Sequence, residues 1–126
     1  MTKASLTLRI IYTVCLAGAT CTHVAFHVQQ GILLGGLEAY GYSAATRVFW
    51  SLLTLLDPTA AVLLLLRPRA GLVLAAAIIV ADVAHNSWIL LHFGRGPDAA
   101  YLAQVGFLVF LSASVRTAWR GRPRAA

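Results

Sequence analysis

Six polar side chains stand out in a chain that is otherwise poor in them: Asp57, Asp82, His23, His27, His85 and Asn86. Each falls inside an apolar run of about 20 residues, the length a helix needs to cross roughly 30 Å of hydrocarbon. An Asp at the centre of such a helix costs about 2.5–3.5 kcal/mol on insertion scales, so acids there are rare and usually functional. Helical spacing decides which of these groups can meet. His23 and His27 share a face with Tyr12, Leu16, Thr20 and Gln30. Asp82, His85, Asn86 and Ile89 form a second stripe, with His92 at its edge. Trp50, Thr54, Asp57 and Ala61 line up on a third, with Arg47 at its outer end. Tyr101, Gln104, Leu108 and Ser112 form the fourth.

Depth sharpens the pattern. At 1.5 Å per residue, Asp57 and Asp82 fall near the middle of their runs, and His23, His85 and Asn86 lie about one turn outward, roughly 5–7 Å. His27, Gln30, Arg47, Tyr101 and Gln104 lie further out, while the inner halves offer almost nothing polar. Four polar faces therefore converge on one pocket in the outer half of a bundle. Two carboxyl groups in low dielectric cannot easily both ionise. One is expected to stay protonated as an acid while the other, supported by Asn86 or a histidine, serves as base. That division suits isomerisation, cyclisation or epoxide opening on a lipophilic molecule, which need proton movement and a dry cavity. The expected catalytic set is Asp57, Asp82, His85, Asn86 and His23, with His27, Trp50, Tyr101, Gln104 and Thr54 binding substrate. Trp50 and Tyr101 would shape the cavity or stabilise developing positive charge. No cofactor motif is present, and none is expected.

Two other uses of the same residues compete. His23, His27, Asp82 and His85 could hold zinc or iron, or histidines from two helices could clamp a haem. The helical His pair is only moderately specific. Soluble metalloproteases carry a Glu beside the first His, whereas Val24 stands here, and no Cys-x-x-Cys-His haem attachment occurs. A proton-coupled transporter, as a homodimer, or a purely structural bundle is the third reading. Polar contacts between membrane helices are worth about 0.6 kcal/mol each on average. Thr20, Thr54 and Ser112 fit that role, whereas buried acids would be a costly choice.

The elements that must position these groups follow from composition. The 126 residues are 60% hydrophobic and 11% charged, with mean hydropathy +0.78. Soluble domains run nearer 45–50% and about 25%, and a chain this short exposes much of its surface. A soluble domain and a nucleic-acid binder are therefore excluded despite the net charge of +6. The fold expected is all-α, a single transmembrane domain over 1–126 with spans at about 8–30, 48–66, 71–92 and 99–119. Turn residues separate them: glycines from Gly31 to Gly41, Arg67-Pro68-Arg69, and Gly94 to Asp98. Runs such as Ala60 to Leu66 show none of the alternation a β-barrel requires.

Charge placement is an independent test of that count. Lys3, Arg9, Arg67, Arg69, Arg116, Arg120, Arg122 and Arg124 share one side, eight of the ten basic residues, leaving Arg47 and Arg95 opposite. Basic flanks are retained in the cytoplasm, so both termini are expected there, in a bacterial-type inner membrane. Lys3 and Arg9 before an apolar run, with Ala17-Gly18-Ala19, imitate a signal peptide, but the apolar character continues past that point. Pro58 should free a carbonyl near Thr54 and kink the second span beside Asp57. Cys15 and Cys21 fall on different faces and read as small core residues. Glu38 and Asp98 read as solvated loop charges, and Arg47 as a partner for Glu38 or Asp57. Trp50, Trp88 and Trp119 sit towards span ends, as in an aromatic belt. The segment Gly31 to Thr46 is apolar enough to be either a loop or an interfacial helix.

Overall fold

The computed structural model describes residues 2–120; Arg122 and Arg124 lie outside the described residues. Four long helices are present: α1 (Lys3–Gln30), α2 (Ala44–Leu66), α3 (Pro68–Phe93) and α4 (Ala99–Trp119). All four are long and apolar enough to cross a membrane, as a multi-pass protein requires. They pack as an all-α four-helix bundle, and no strand occurs among the described residues.

Helix ends follow capping chemistry rather than hydropathy, so three helices extend beyond the expected spans. Thr2 caps α1 by accepting from the Ser5 amide, Ser43 caps α2 by accepting from Thr46, and Asp98 caps α4 by accepting from Tyr101. Pro68 opens α3 in the first turn, where its missing N–H removes no helical bond. Gly94 closes α3 in the left-handed region at φ 62°, which L side chains rarely adopt. Helix α2 runs through Pro58 to Leu66.

Between α1 and α2 the chain forms a short 3-10 segment, Ile32–Tyr40, which resolves the choice between loop and helix. It is broken at Leu33 and Leu34, whose φ values of 50° and 54° are unusual outside glycine. Leu34 is 1% exposed, so burial of its side chain offsets the strain of that backbone.

The packed core lies mainly in the half of the bundle nearer the start of α1 and the end of α4. Tyr12, Leu16, Leu64, Leu72, Ala75 and Leu111 are buried there. Outward faces carry Leu55, Leu65, Val73, Val80 and Leu102, as a hydrocarbon solvent requires. The terminal end is less apolar than the sequence suggests. Tyr12 hydrogen-bonds Ser114, and the Ser5 hydroxyl donates to the Ala118 carbonyl at 2.9 Å. Arg9, which the sequence places among the flanking charges, is drawn into the bundle and is 6% exposed.

Two expectations are corrected. Cys15 and Cys21 are free thiols on the exposed outer surface of α1, not core residues. Ser112 is exposed, and α4 turns Tyr101, Gln104, Leu111 and Ala118 towards its neighbours instead. Four-residue steps each overshoot a full turn by about 40°, so the line from Gln104 through Leu108 drifts off the packed face by Ser112.

Candidate functional site

The outer ends of the helices carry the polar groups, on the side opposite both termini. On α1, His23 faces α2, where its Nε2 lies 3.3 Å from Asp57 Oδ2. The Asp57 side chain is 4% exposed and that of His23 19%, so the imidazole stands between the acid and more open space. One turn further out, His27 faces Ser51 of α2, Nε2 to Oγ at 3.1 Å, and its Nδ1 meets the His23 carbonyl at 2.9 Å. Thr54 approaches the same ring at 3.5 Å.

Asn86 joins the other three helices. Its Nδ2 donates to Asp82 Oδ1 one turn earlier on α3 and to Gln104 Oε1 of α4, both at 2.8 Å. Its Oδ1 accepts from Trp50 Nε1 of α2 at 3.0 Å. An indole N–H can only donate, so the atom facing Trp50 must be the amide oxygen. That contact fixes the amide orientation and leaves both N–H bonds for Asp82 and Gln104. Asp82 is 6% exposed, and its carboxylate is therefore held by a side chain that is itself held from two directions. Near by, Ser87 and Tyr101 share a hydrogen bond of 2.7 Å.

These groups surround a cavity of about 460 Å³ lined by His23, Trp50, Asp82, Asn86, Tyr101 and Gln104. It is of the size of small-molecule sites, and its walls are mainly apolar and aromatic with a few convergent polar groups. Tyr42 and Arg95 stand at its mouth, the guanidinium donating to the Tyr42 hydroxyl at 2.8 Å. Arg95 also lies over the Phe93 ring at 5.4 Å, and Tyr42 stacks towards Trp50 with ring centroids 5.3 Å apart.

Six of the ten expected site residues thus line one cavity. The other four stand elsewhere. Asp57 lies behind His23 rather than on the cavity wall, and His27 and Thr54 face each other in the α1–α2 contact. His85 points into an aromatic cluster, 4.7 Å from Phe49 and 6.1 Å from both Trp50 and Trp88, with its buried Nε2 unpartnered among the described residues. The ligand set His23, His27, Asp82 and His85 is accordingly not assembled. Among the described residues no three His, Cys, Asp or Glu side chains come together as a metal site.

Sequence reasoning missed Tyr42 and Arg95, and it read Asp98 as a solvated charge. Asp98 instead caps α4, Tyr101 N to Oδ1 at 2.8 Å, and lines the cavity mouth. The Asp three residues before Tyr101 in a Gly-Pro turn was a legible capping signal. Arg47 faces Glu38 at 3.8 Å and not Asp57. His92 is exposed at the end of α3 and stacks on Trp88 at 4.9 Å. Among known proteins, no family model, curated sequence or solved structure matches this chain, and any functional reading rests on the geometry of its own residues.

Proposed function

We propose that the protein is a small membrane enzyme that moves protons on a lipophilic substrate held in the outer cavity. The observation that carries this reading is that His23, backed by buried Asp57, and Asp82, held by Asn86, border the same aromatic space. An imidazole with a carboxylate behind it can give and take a proton at the cavity wall, since the acid orients the ring and stabilises its charged form. Asp57 is then a positioning residue that acts through His23. Asp82 is the second proton-handling group, and Asn86 and Gln104 fix its direction.

Trp50, Tyr42 and Tyr101 would hold an apolar body and favour positive charge developing on it. The reaction classes served are double-bond isomerisation, cyclisation and epoxide opening, none of which requires an external oxidant. The bilayer supplies the substrate, and with both termini cytoplasmic the cavity faces the outer leaflet of a bacterial-type inner membrane.

Labelled water tests this for any substrate of these three classes. Purified protein is incubated with a lipid extract in water carrying deuterium and heavy oxygen, and the lipids are then analysed by mass spectrometry. Wild type should place deuterium on carbon if it isomerises or cyclises, or heavy oxygen on carbon if it opens an epoxide. Asp82→Asn and His23→Gln should each lower labelling by roughly a hundredfold or more, the usual range for a lost acid or base. Undiminished labelling in Asp82→Asn, or none above protein-free extract in wild type, would overturn the assignment.

A further inference from the structure

We infer that the terminal end of the bundle holds a phosphate oxyanion, supplied by the headgroup of an anionic phospholipid, with Arg9 as its buried contact. Arg9 is 6% exposed, and its guanidinium is only partly satisfied. Nε donates to the Ser5 carbonyl at 3.4 Å, while Nη2 is buried with no hydrogen-bond partner among the described residues. A buried, unpaired charge is among the most expensive features a protein can carry, and an Arg is always charged.

The four Asp and Glu residues of the chain are all committed elsewhere. Glu38 faces Arg47, Asp57 pairs with His23, Asp82 accepts from Asn86, and Asp98 caps α4. None stands at the terminal end. A counter-ion from outside the chain resolves this.

The surroundings fit a lipid headgroup. The Ser5 residue whose carbonyl accepts from Arg9 also bonds Ala118 through its hydroxyl, so this turn of α1 meets the last turn of α4. Those turns border a shallow groove of about 290 Å³ lined by Val115, Arg116, Trp119 and Arg120. Arg69 of α3 reaches over the Trp119 ring at 5.4 Å. Arg presents a planar fork matched to phosphate oxygens. Basic pockets between helix ends beside an interfacial Trp are where anionic headgroups and acyl chains can both be accommodated.

The test compares purified protein in phosphatidylcholine nanodiscs, the same with phosphatidylglycerol added, and the first with inorganic phosphate. Thermal unfolding and native mass spectrometry are the readouts. Phosphatidylglycerol should raise the melting temperature and remain bound as a discrete lipid, whereas inorganic phosphate should do neither. Arg9→Gln should weaken phosphatidylglycerol binding about tenfold, the scale of a lost charge-assisted hydrogen bond. Lys3→Gln, which removes an exposed charge at the same end, should change it by less than about twofold. Equal losses in the two variants would show unspecific attraction and overturn the site. Protection by inorganic phosphate alone would overturn the lipid source. Should Arg9→Gln fail to fold, wild type still decides, because equal binding of the zwitterionic and anionic lipids would remove the proposal.

Discussion

At the scale of single residues, Asn86 has the most to lose. It is one side chain with three partners on three helices, and each contact uses a polar atom that would otherwise face hydrocarbon. Replacing it by Leu leaves the Trp50 N–H, an Asp82 oxygen and the Gln104 carbonyl without that partner. We expect a loss of about 2–4 kcal/mol, as for a buried network broken at its centre, measured by reversible unfolding in mixed micelles. Trp50 fluorescence should shift in the same variant, because its indole loses its acceptor; unchanged stability and spectrum would mean that the network carries no weight. These partners were legible in part. Helical spacing placed Asp82, Asn86, Trp50, Gln104, Tyr101 and His23 on inward faces, and all six line the cavity. Spacing says which face a side chain occupies but not which neighbour it chooses there. His85 shares the Asp82 and Asn86 stripe yet turns to Phe49, and Arg9 passed for a flanking charge because sequence does not show a long side chain folding back to the Ser5 carbonyl.

At the scale of elements, the connection between α2 and α3 sets how close the two helices come. Gly71 is buried, and a Cβ there would stand 2.6 Å from Leu64 Cα and 2.7 Å from Leu63 C, both backbone atoms that cannot turn aside. Gly106 on α4 has nothing within 4 Å of the same position. The contrast fixes the sign of two otherwise identical substitutions. Gly106→Ala should stabilise or be neutral, since Ala is favoured over Gly in a helix by about 1 kcal/mol. Gly71→Ala should destabilise by about 1–3 kcal/mol, because the helices must separate to admit the methyl group. Thermal unfolding of the two variants side by side checks this, and stabilisation by Gly71→Ala would show that the α2–α3 contact is looser than described. The four apolar runs identified the helices. Their boundaries needed the caps Thr2, Ser43 and Asp98, which are polar and so lie outside any hydropathy window. The broken 3-10 segment was not legible, because the left-handed turn at Leu33 and Leu34 is anchored by the tertiary burial of Leu34 and carries no local signal.

At the scale of the whole molecule, the bundle is divided along its length. Close apolar packing occupies the terminal half, and the polar cavity the other, with Arg95 and Asp98 at its mouth. The sequence places eight of ten basic residues at the terminal end. Basic flanks are as a rule retained in the cytoplasm, so that end is expected there and the cavity is expected to open outward. Cysteine labelling can read this directly, because Cys15 and Cys21 are exposed and can be replaced by Ser without opening a cavity in the core. In that background, Gly96→Cys lies at the cavity mouth and Arg67→Cys in the turn between α2 and α3. A membrane-impermeant maleimide applied to intact cells should modify the Gly96→Cys variant and reach the Arg67→Cys variant only after permeabilisation. The reverse pattern would invert the orientation and move the cavity to the cytoplasmic leaflet. Equal labelling of both would point to chains inserted in both directions, the arrangement an antiparallel dimer needs. On the proposed function, a single orientation would tie substrate entry to one leaflet, so the lipid extract in the labelled-water assay should be richest in substrate when drawn from that leaflet's own components.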